Sequence, residues 1–273
     1  MNKVKLITDS VADVTKEMAR ELDCEVVPLS INIDGASYLD GVEMTVEELF
    51  HRIQTGSTFP TSSQVTPVVF YKVFKKYIDE GYKIISVHLS GKLSGTYQSA
   101  CLAAAEFAKG EVEVVDSLNV TGGQLLLVQQ AARLIKEGKS NQEIKGILDE
   151  TKTRIKSCVM VDTLEFLTKG GRIGKAAGFV GGVLGIKPIL EVRDGELLPI
   201  AKERGSKKAL KYIMNRLENE EIDPDHKVIL VNSSSPEAVE QLRPILNGRN
   251  IPYDMIHIGG VVGVHVQLLM YEN

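Results

Sequence analysis

The 273 residues, 43% hydrophobic and 25% charged, are enough for one large or two ordinary globular domains with a full core. A net charge of −4, no tryptophan and 5% aromatic residues exclude a basic nucleic-acid footprint and a stacking platform for single strands. Three widely spaced cysteines, Cys24, Cys101 and Cys158, fit neither a disulfide framework nor the close pairs of a zinc site. No apolar run has the length of a membrane span, and Met1 to Ser10 reads as a strand carrying Asp9, unlike a signal peptide. The expectation is a soluble protein of the reducing cytoplasm, without metal or cofactor.

Val4 to Thr8 reads as a short buried strand. It ends in Thr8-Asp9-Ser10, polar groups at the carboxyl end of a strand, where α/β folds hold ligands. Asp9 equally suits a cap for the helical pattern Ala12 to Leu22. Val26 to Ile33 alternates as one strand and ends in the hairpin signal Asp34-Gly35. Thr45 and Glu48 match a capping box for a helix through Thr55. Thr61, Ser62, Ser63 and Gln64 then form an uncharged loop of hydroxyls, suited to an anion or simply to solvent. Thr66-Pro67 opens a helix from Val68 to Glu80.

The next stretch, Val87 to Ala100, reads VHLSGKLSGTYQSA. An apolar strand from Ile84 to Leu89 runs into a small polar turn, Ser90 to Gly95, and a helix from Thr96 to Phe107 follows. The first N–H groups of a helix lack intrahelical partners and its dipole favours negative charge, so Ser94, Gly95 and Thr96 suit an anion. A capped helix after an ordinary βα turn accounts for the same pattern. Glu111 to Val115 is a further strand, followed by helices from Thr121 to Lys136 and, behind a Ser140/Glu143 capping box, to Thr153. Alternating strands and helices imply a parallel sheet covered on both faces.

Beyond Lys156 the texture changes. Ser157 to Val161 is a strand, Asp162 and Glu165 cap a helix bearing Phe166 and Leu167, and Lys169-Gly170-Gly171-Arg172-Ile173-Gly174 follows. Ala176 to Gly185 is small and apolar, fit for tight packing or for lining an apolar cavity. Lys187 to Val192 and Leu197 to Lys202 form a hairpin around Asp194-Gly195. A helix from Ser206 to Glu218, a strand Val228 to Val231, a helix Pro236 to Leu246 and a strand Tyr253 to Ile258 precede a Gly-rich and then apolar end. The fold class is α/β: residues 1–155 form an N-terminal parallel-sheet α/β domain and 156–273 a second, α+β domain, with the ligand in the cleft between them.

Of the five histidines, His88 and His257 fall in strands as core residues, and His51 and His226 fall on the surface. His265 follows Gly263-Val264 and is placed to donate to an anion. Ser94 with a histidine and an aspartate would make a triad on paper, but no Gly-x-Ser-x-Gly elbow surrounds it. A P-loop, a Gly-x-Gly-x-x-Gly after the first strand and a metal motif are all missing. Hydroxyls, amides and one histidine around an anion are the kit of a binding protein. A serine hydrolase or acyltransferase using Ser94, or a small-anion-binding domain, are the alternatives.

Taken together, Ile7-Thr8-Asp9-Ser10, Ser62-Ser63-Gln64, Leu93 to Ala100, Val115-Asp116-Ser117, Asp162 to Leu167, Gly170 to Gly174, Lys187-Pro188-Ile189 and Gly263-Val264-His265 resemble the bacterial DegV family, in the family's order. The resemblance implies a carrier of long-chain fatty acid, without chemistry of its own. It implies a binding subunit that presents the fatty-acid carboxylate to a separate ATP-dependent fatty acid kinase, which makes the acyl phosphate. Its partners would be that kinase and, transiently, a membrane, with no nucleic acid. By the same resemblance Ser62, Ser94 and His265 hold the carboxylate. The Gly95 and Thr96 amides, at a helix start, would help. An apolar tunnel walled partly by Phe166 to Ile189, including Gly182, would end there, with Arg172 and Arg204 at its mouth. Two departures stand out: Ser62-Ser63-Gln64-Val65 replaces the family's Thr-Ser-Gln-Pro, and Val266 to Met270 replaces a Gly-Pro-Gly turn after His265.

Overall fold

The computed structural model describes residues 3–56, 58–161, 163–179, 185–223, 227–232, 239–263 and 267–272. In chain order the strands are β1 (Val4–Asp9), β2 (Cys24–Val27), β3 (Ser30–Ile33), β4 (Ala36–Leu39), β5 (Thr61–Ser63), β6 (Lys83–His88), β7 (Val112–Asp116), β8 (Ile155–Met160), β9 (Ile186–Arg193), β10 (Glu196–Arg204), β11 (Val228–Asn232), β12 (Tyr253–His257) and β13 (Gln267–Glu272). The helices are α1 (Lys16–Glu21), α2 (Val46–Thr55), α3 (Pro67–Asp79), α4 (Thr96–Ala104), α5 (Thr121–Lys136), α6 (Asn141–Thr151), α7 (Glu165–Lys169), α8 (Ser206–Asn219), α9 (Arg243–Gly248) and α10 (Gly260–Gly263).

The strands form three sheets. The first is four-stranded and wholly parallel, in the order β2-β1-β6-β7. β1 is buried along its length and β6 along all but its first residue, so neither sequence alternates. The second sheet has the order β10-β9-β8-β13-β11-β12 and is antiparallel except between β11 and β12. The third is a small antiparallel sheet, β4-β3-β5.

Helix α5 joins the two large sheets. Every residue from Thr121 to Val128 is buried, because the helix touches β1 and β6 on one side and β8, β11 and β13 on the other. Gly122 allows the close approach: a Cβ there would lie 2.9 Å from Ile229 Cγ2 and 3.0 Å from Val231 Cγ2. One core therefore unites Ile7, Ile85 and Leu125 with Ile229, Val231 and Ile256.

The α/β class holds, and several local expectations need correction. Val26 to Ile33 is two strands, because Pro28 has no N–H for a ladder; β2 stays in the parallel sheet while β3 turns into the small one. The pattern Ala12 to Leu22 is broken at Asp13, whose φ of 53° ends a short 3₁₀ turn (Ser10–Ala12) before α1 begins. The hydroxyl segment at 61–63 is the strand β5, paired with β3, and not a loop. The apolar C-terminal run is β13, inserted between β8 and β11. Asp34-Gly35 does make its hairpin turn, with φ of 54° and 77°. Asp162 and the first three residues of the helix expected from Pro236 to Leu246 lie outside the described residues; the described part holds α9 from Arg243 to Gly248.

Candidate functional site

The turn from Ser90 to Gly95 is fastened from both neighbouring strands. Asp9 at the end of β1 accepts the Leu89 N–H at 3.0 Å. Asp116 at the end of β7 accepts the Gly91 N–H through both oxygens at 3.2 Å. Within the turn, the Leu93 and Ser94 amides donate to the Ser90 carbonyl at 3.0 and 3.1 Å. Ser94 Oγ lies 3.0 Å from Thr96 Oγ1 and accepts the Thr96 N–H at 3.3 Å, so the hydroxyl is held at the start of α4. A Cβ on Gly95 would lie 2.0 Å from Gln64 Oε1, so the Gln64 side chain packs directly over the glycine backbone. Gln64 in turn donates to Ser99 Oγ of α4 at 3.1 Å. This contact brings the end of β5, and with it Ser62, beside the Ser94 turn.

Ser62 and Ser94 line one cavity, of about 70 Å³. Gln64 and Arg172 complete its polar rim. Its remaining walls are apolar: Val11 of the 3₁₀ turn after β1, Leu29 of the link after β2, Val120 before α5, Val159 of β8, Leu167 of α7, and Val261 of α10. Ser94 also borders an open cleft of about 340 Å³, together with Lys92, Gly95, Arg172 and Glu196. The guanidinium of Arg172 is pinned there, its Nε donating to the Leu93 carbonyl at 3.2 Å. Arg204, expected at the mouth, ends β10 opposite Ile186 and lines neither space. His265 and Gly182 lie outside the described residues.

The wall at Val261 is positioned by carboxylates that the sequence did not betray. Asp13 Oδ1 accepts the Gly259 N–H at 2.7 Å, and Asp40 Oδ1 accepts the Gly260 N–H at 3.1 Å. Ser10 Oγ donates to Asp40 Oδ2 at 2.8 Å. Burial holds the Asp13 carboxyl well above the usual carboxylate range, and burial raises Asp40 as well. The partners are more than two hundred residues apart, and no local spacing reveals them.

A Ser–His–Asp arrangement does exist, away from Ser94. His88 Nδ1 lies 2.9 Å from Asp9 Oδ2, and His88 Nε2 lies 2.7 Å from Ser86 Oγ. All three residues have no exposed surface, so this network braces β1 against β6 where no substrate reaches. Asp9 Oδ1 accepts from the Val11 amide and Gln124 Nε2 at 3.0 and 3.1 Å, which fits its expected role as a cap and brace. Cys24 and Cys158 are buried, and burial pushes the Cys158 thiol up to about 11. No cluster of histidine, cysteine or acidic residues able to hold a metal ion occurs among the described residues. No helix among them is long and apolar enough to cross a membrane.

Residues 3–268 match the model of a family described as "Uncharacterised protein, DegV family". The chain is 42% identical to a DegV domain-containing protein of Clostridium acetobutylicum, over 97% of this chain and 95% of the relative. Among solved structures it is similar to a DegV family protein from Thermus thermophilus, described as fatty acid binding. The identity is 34% and the TM-score 0.89, covering 99% of this chain and all of the other. It is also similar to a DegV lipid binding protein from Thermotoga maritima, at 31% identity and a TM-score of 0.84, covering 98% and 97% of the two chains.

Proposed function

This chain belongs to the DegV family, and on that footing we propose that it is a carrier of long-chain fatty acid. Residues 1–155 act as the α/β domain that supplies the hydroxyls, and residues 156–273 as the α+β domain that closes over the acyl chain. The carboxylate accepts hydrogen bonds from Ser62, Ser94, the Gly95 amide and His265. The observation that carries the reading is that Ser62 and Ser94, from separate segments, border one cavity whose walls beyond the polar rim are apolar.

A carboxylate beside apolar walls must be hydrogen-bonded, or its desolvation is prohibitive. Hydroxyls and amides satisfy it while leaving an oxygen free to react. The acyl chain gains about 0.8 kcal/mol for each CH₂ it buries. The cavity of about 70 Å³ is far below the ~300–1,000 Å³ of ordinary ligand pockets, so its side chains part as the chain enters. The two similar proteins described as binding fatty acid or lipid support the same ligand class. The carrier performs no chemistry itself and works in the cytoplasm. A separate ATP-dependent kinase phosphorylates the presented carboxylate, with Arg172 at the rim meeting that kinase or, transiently, a membrane. Organic extraction of the purified protein followed by mass spectrometry tests the reading. A stoichiometric long-chain fatty acid is expected; repeated preparations without lipid, from a protein that also takes up none when it is added, would overturn it.

A further inference from the structure

One wall of the cavity rests on two buried carboxylates that the carrier reading leaves without a role. Val11, Leu29, Val261 and Val262 form that wall. On the N-terminal side, the Asp40 N–H donates to the Leu29 carbonyl at 2.9 Å, and the Leu29 N–H donates to Ser10 Oγ at 3.2 Å. Ser10 Oγ donates to Asp40, and the Ser10 carbonyl accepts the Asp13 N–H at 3.1 Å. On the C-terminal side, Asp13 and Asp40 take the successive amides of Gly259 and Gly260, where α10 begins. The carboxylates pack directly over that backbone: a Cβ on Gly259 would lie 2.7 Å from Asp13 Oδ1, and one on Gly260 2.8 Å from Asp40 Oδ1. The two halves of the wall are therefore joined through this pair.

The charge around the pair is of one sign. Asp40 and Asp9 act on Asp13, and Asp9 acts on Asp40. Asp9 at the end of β1 is held by His88 of β6, Gln124 of α5 and the Val11 and Leu89 amides. β3 and α2 present Ile31 and Leu49 to Gly260, and Glu43, beyond Asp40, is exposed and accepts the Leu39 N–H. No cation pairs with Asp13 or Asp40 among the described residues. Asp13 Oδ2 is buried without a hydrogen-bond partner. An ionised Asp13 is thus an uncompensated buried charge beside like charges, whereas the neutral acid still accepts the Gly259 N–H through Oδ1. Burial, with Asp40 and Asp9, keeps its carboxyl well above the ordinary range. We propose that Asp13 and Asp40 are positioning residues for the fatty acid: a latch that holds the wall closed on the acyl chain while Asp13 keeps its proton, and slackens when that proton leaves. The proposal rests on the reading of this cavity as the fatty-acid site. Loss of the proton sets two anions on adjacent amides. Their repulsion is relieved by admitting water or by releasing Gly259, which carries Val261 and Val262 away. Because the closed wall prefers the protonated acid, fatty-acid affinity falls as pH rises through its folded value. By linkage the bound chain also retains the proton, so binding takes protons up.

The test titrates palmitate into the whole protein at a series of pH values, from just above the ordinary carboxylate range upward. Asp13→Asn keeps the Oδ1 acceptor, tolerates the left-handed φ of 53° and carries no ionisable proton. Asp13→Ala loses the acceptor. Thermal melts establish that each variant is folded. Wild-type affinity should fall by up to about tenfold per pH unit through the titration. Asp13→Asn should lose that fall and bind more tightly than Asp13→Ala at every pH. Effects of pH on the palmitate carboxylate or on His265 are common to all three proteins and cancel in the comparison. Calorimetry in two buffers of different ionisation heat should show net proton uptake by wild type, reduced in Asp13→Asn. Asp40→Asn, which removes the like charge, should shift the fall to higher pH, and it decides the matter if Asp13→Asn does not fold. No fall in wild type, a fall of the same steepness in Asp13→Asn, equal affinities of the asparagine and alanine variants, or an unshifted fall in Asp40→Asn would overturn the latch and leave the carrier reading intact. Failure of wild type to bind palmitate at any pH would overturn both.

Discussion

Replacing Ser94 with alanine removes one hydroxyl from the rim of the cavity. That hydroxyl accepts the Thr96 N–H at 3.3 Å and shares a hydrogen bond of 3.0 Å with the hydroxyl of the fully buried Thr96. Its loss from a helix start costs about 1 kcal/mol of stability, which leaves the fold in place. The ligand loses one charge-assisted hydrogen bond, about 1.5–3 kcal/mol, or roughly ten- to a hundredfold in affinity. The loss should fall toward the lower end, because binding trades the Thr96 contact for the carboxylate contact instead of filling an empty donor. Binding should weaken and not vanish, since Ser62, the Gly95 amide and the apolar walls remain. Titration of a fluorescent long-chain fatty acid into wild type and Ser94→Ala measures the difference, with melts at the same protein concentration. Equal affinities in two folded proteins would refute the placement of the carboxylate at this turn.

Other expectations follow from the same geometry. Val262, half-buried in the cavity wall, should on Val262→Phe displace part of the acyl chain and cost about 0.8 kcal/mol for each CH₂ turned out, so long acids lose more affinity than short ones; calorimetry across chain lengths checks this. Gly122→Ala drives a methyl into Ile229 and Val231 and should destabilise by about 1–3 kcal/mol in chemical denaturation; no change would contradict the packing of α5 between the sheets. Burial raises the Asp13 carboxyl, so the folded protein keeps a proton there at pH values where the unfolded chain has released it. Stability from this group is present below the unfolded carboxylate range and is lost as pH rises through the folded value; Asp13→Asn should flatten that fall above the unfolded carboxylate range, and an unchanged slope would contradict it.

Much of the architecture was legible because it is local. The β6–α4 turn announces itself through an apolar run, a cluster of small residues and a change of period. Helix α5 was bounded at Thr121 and Lys136, where the structure has it, because its apolar pattern starts after a polar turn and stops at Gly138 with φ of 82°. The Ser140/Glu143 capping box is present with both reciprocal bonds. Short strands were less legible. β5 is three polar residues whose structure comes from pairing with β3, a tertiary effect that outweighs local propensity. β13 is an apolar run with no period to separate strand from helix. In the site, hydroxyls and glycines could be picked out by type and spacing. Asp13 and Asp40 could not, because neither stands in a recognisable motif and each finds its partner only in the folded chain.

The most direct measurement is a crystal structure of the protein with palmitate bound. The account predicts density for one acyl chain running from the Ser62/Ser94 rim between Val11, Leu29, Val159 and Leu167, with a carboxylate oxygen within hydrogen-bond distance of Ser94 Oγ and the other facing Lys92 and Arg172. An acyl chain lying elsewhere, or one inserted with its methyl end at Ser94, would contradict it.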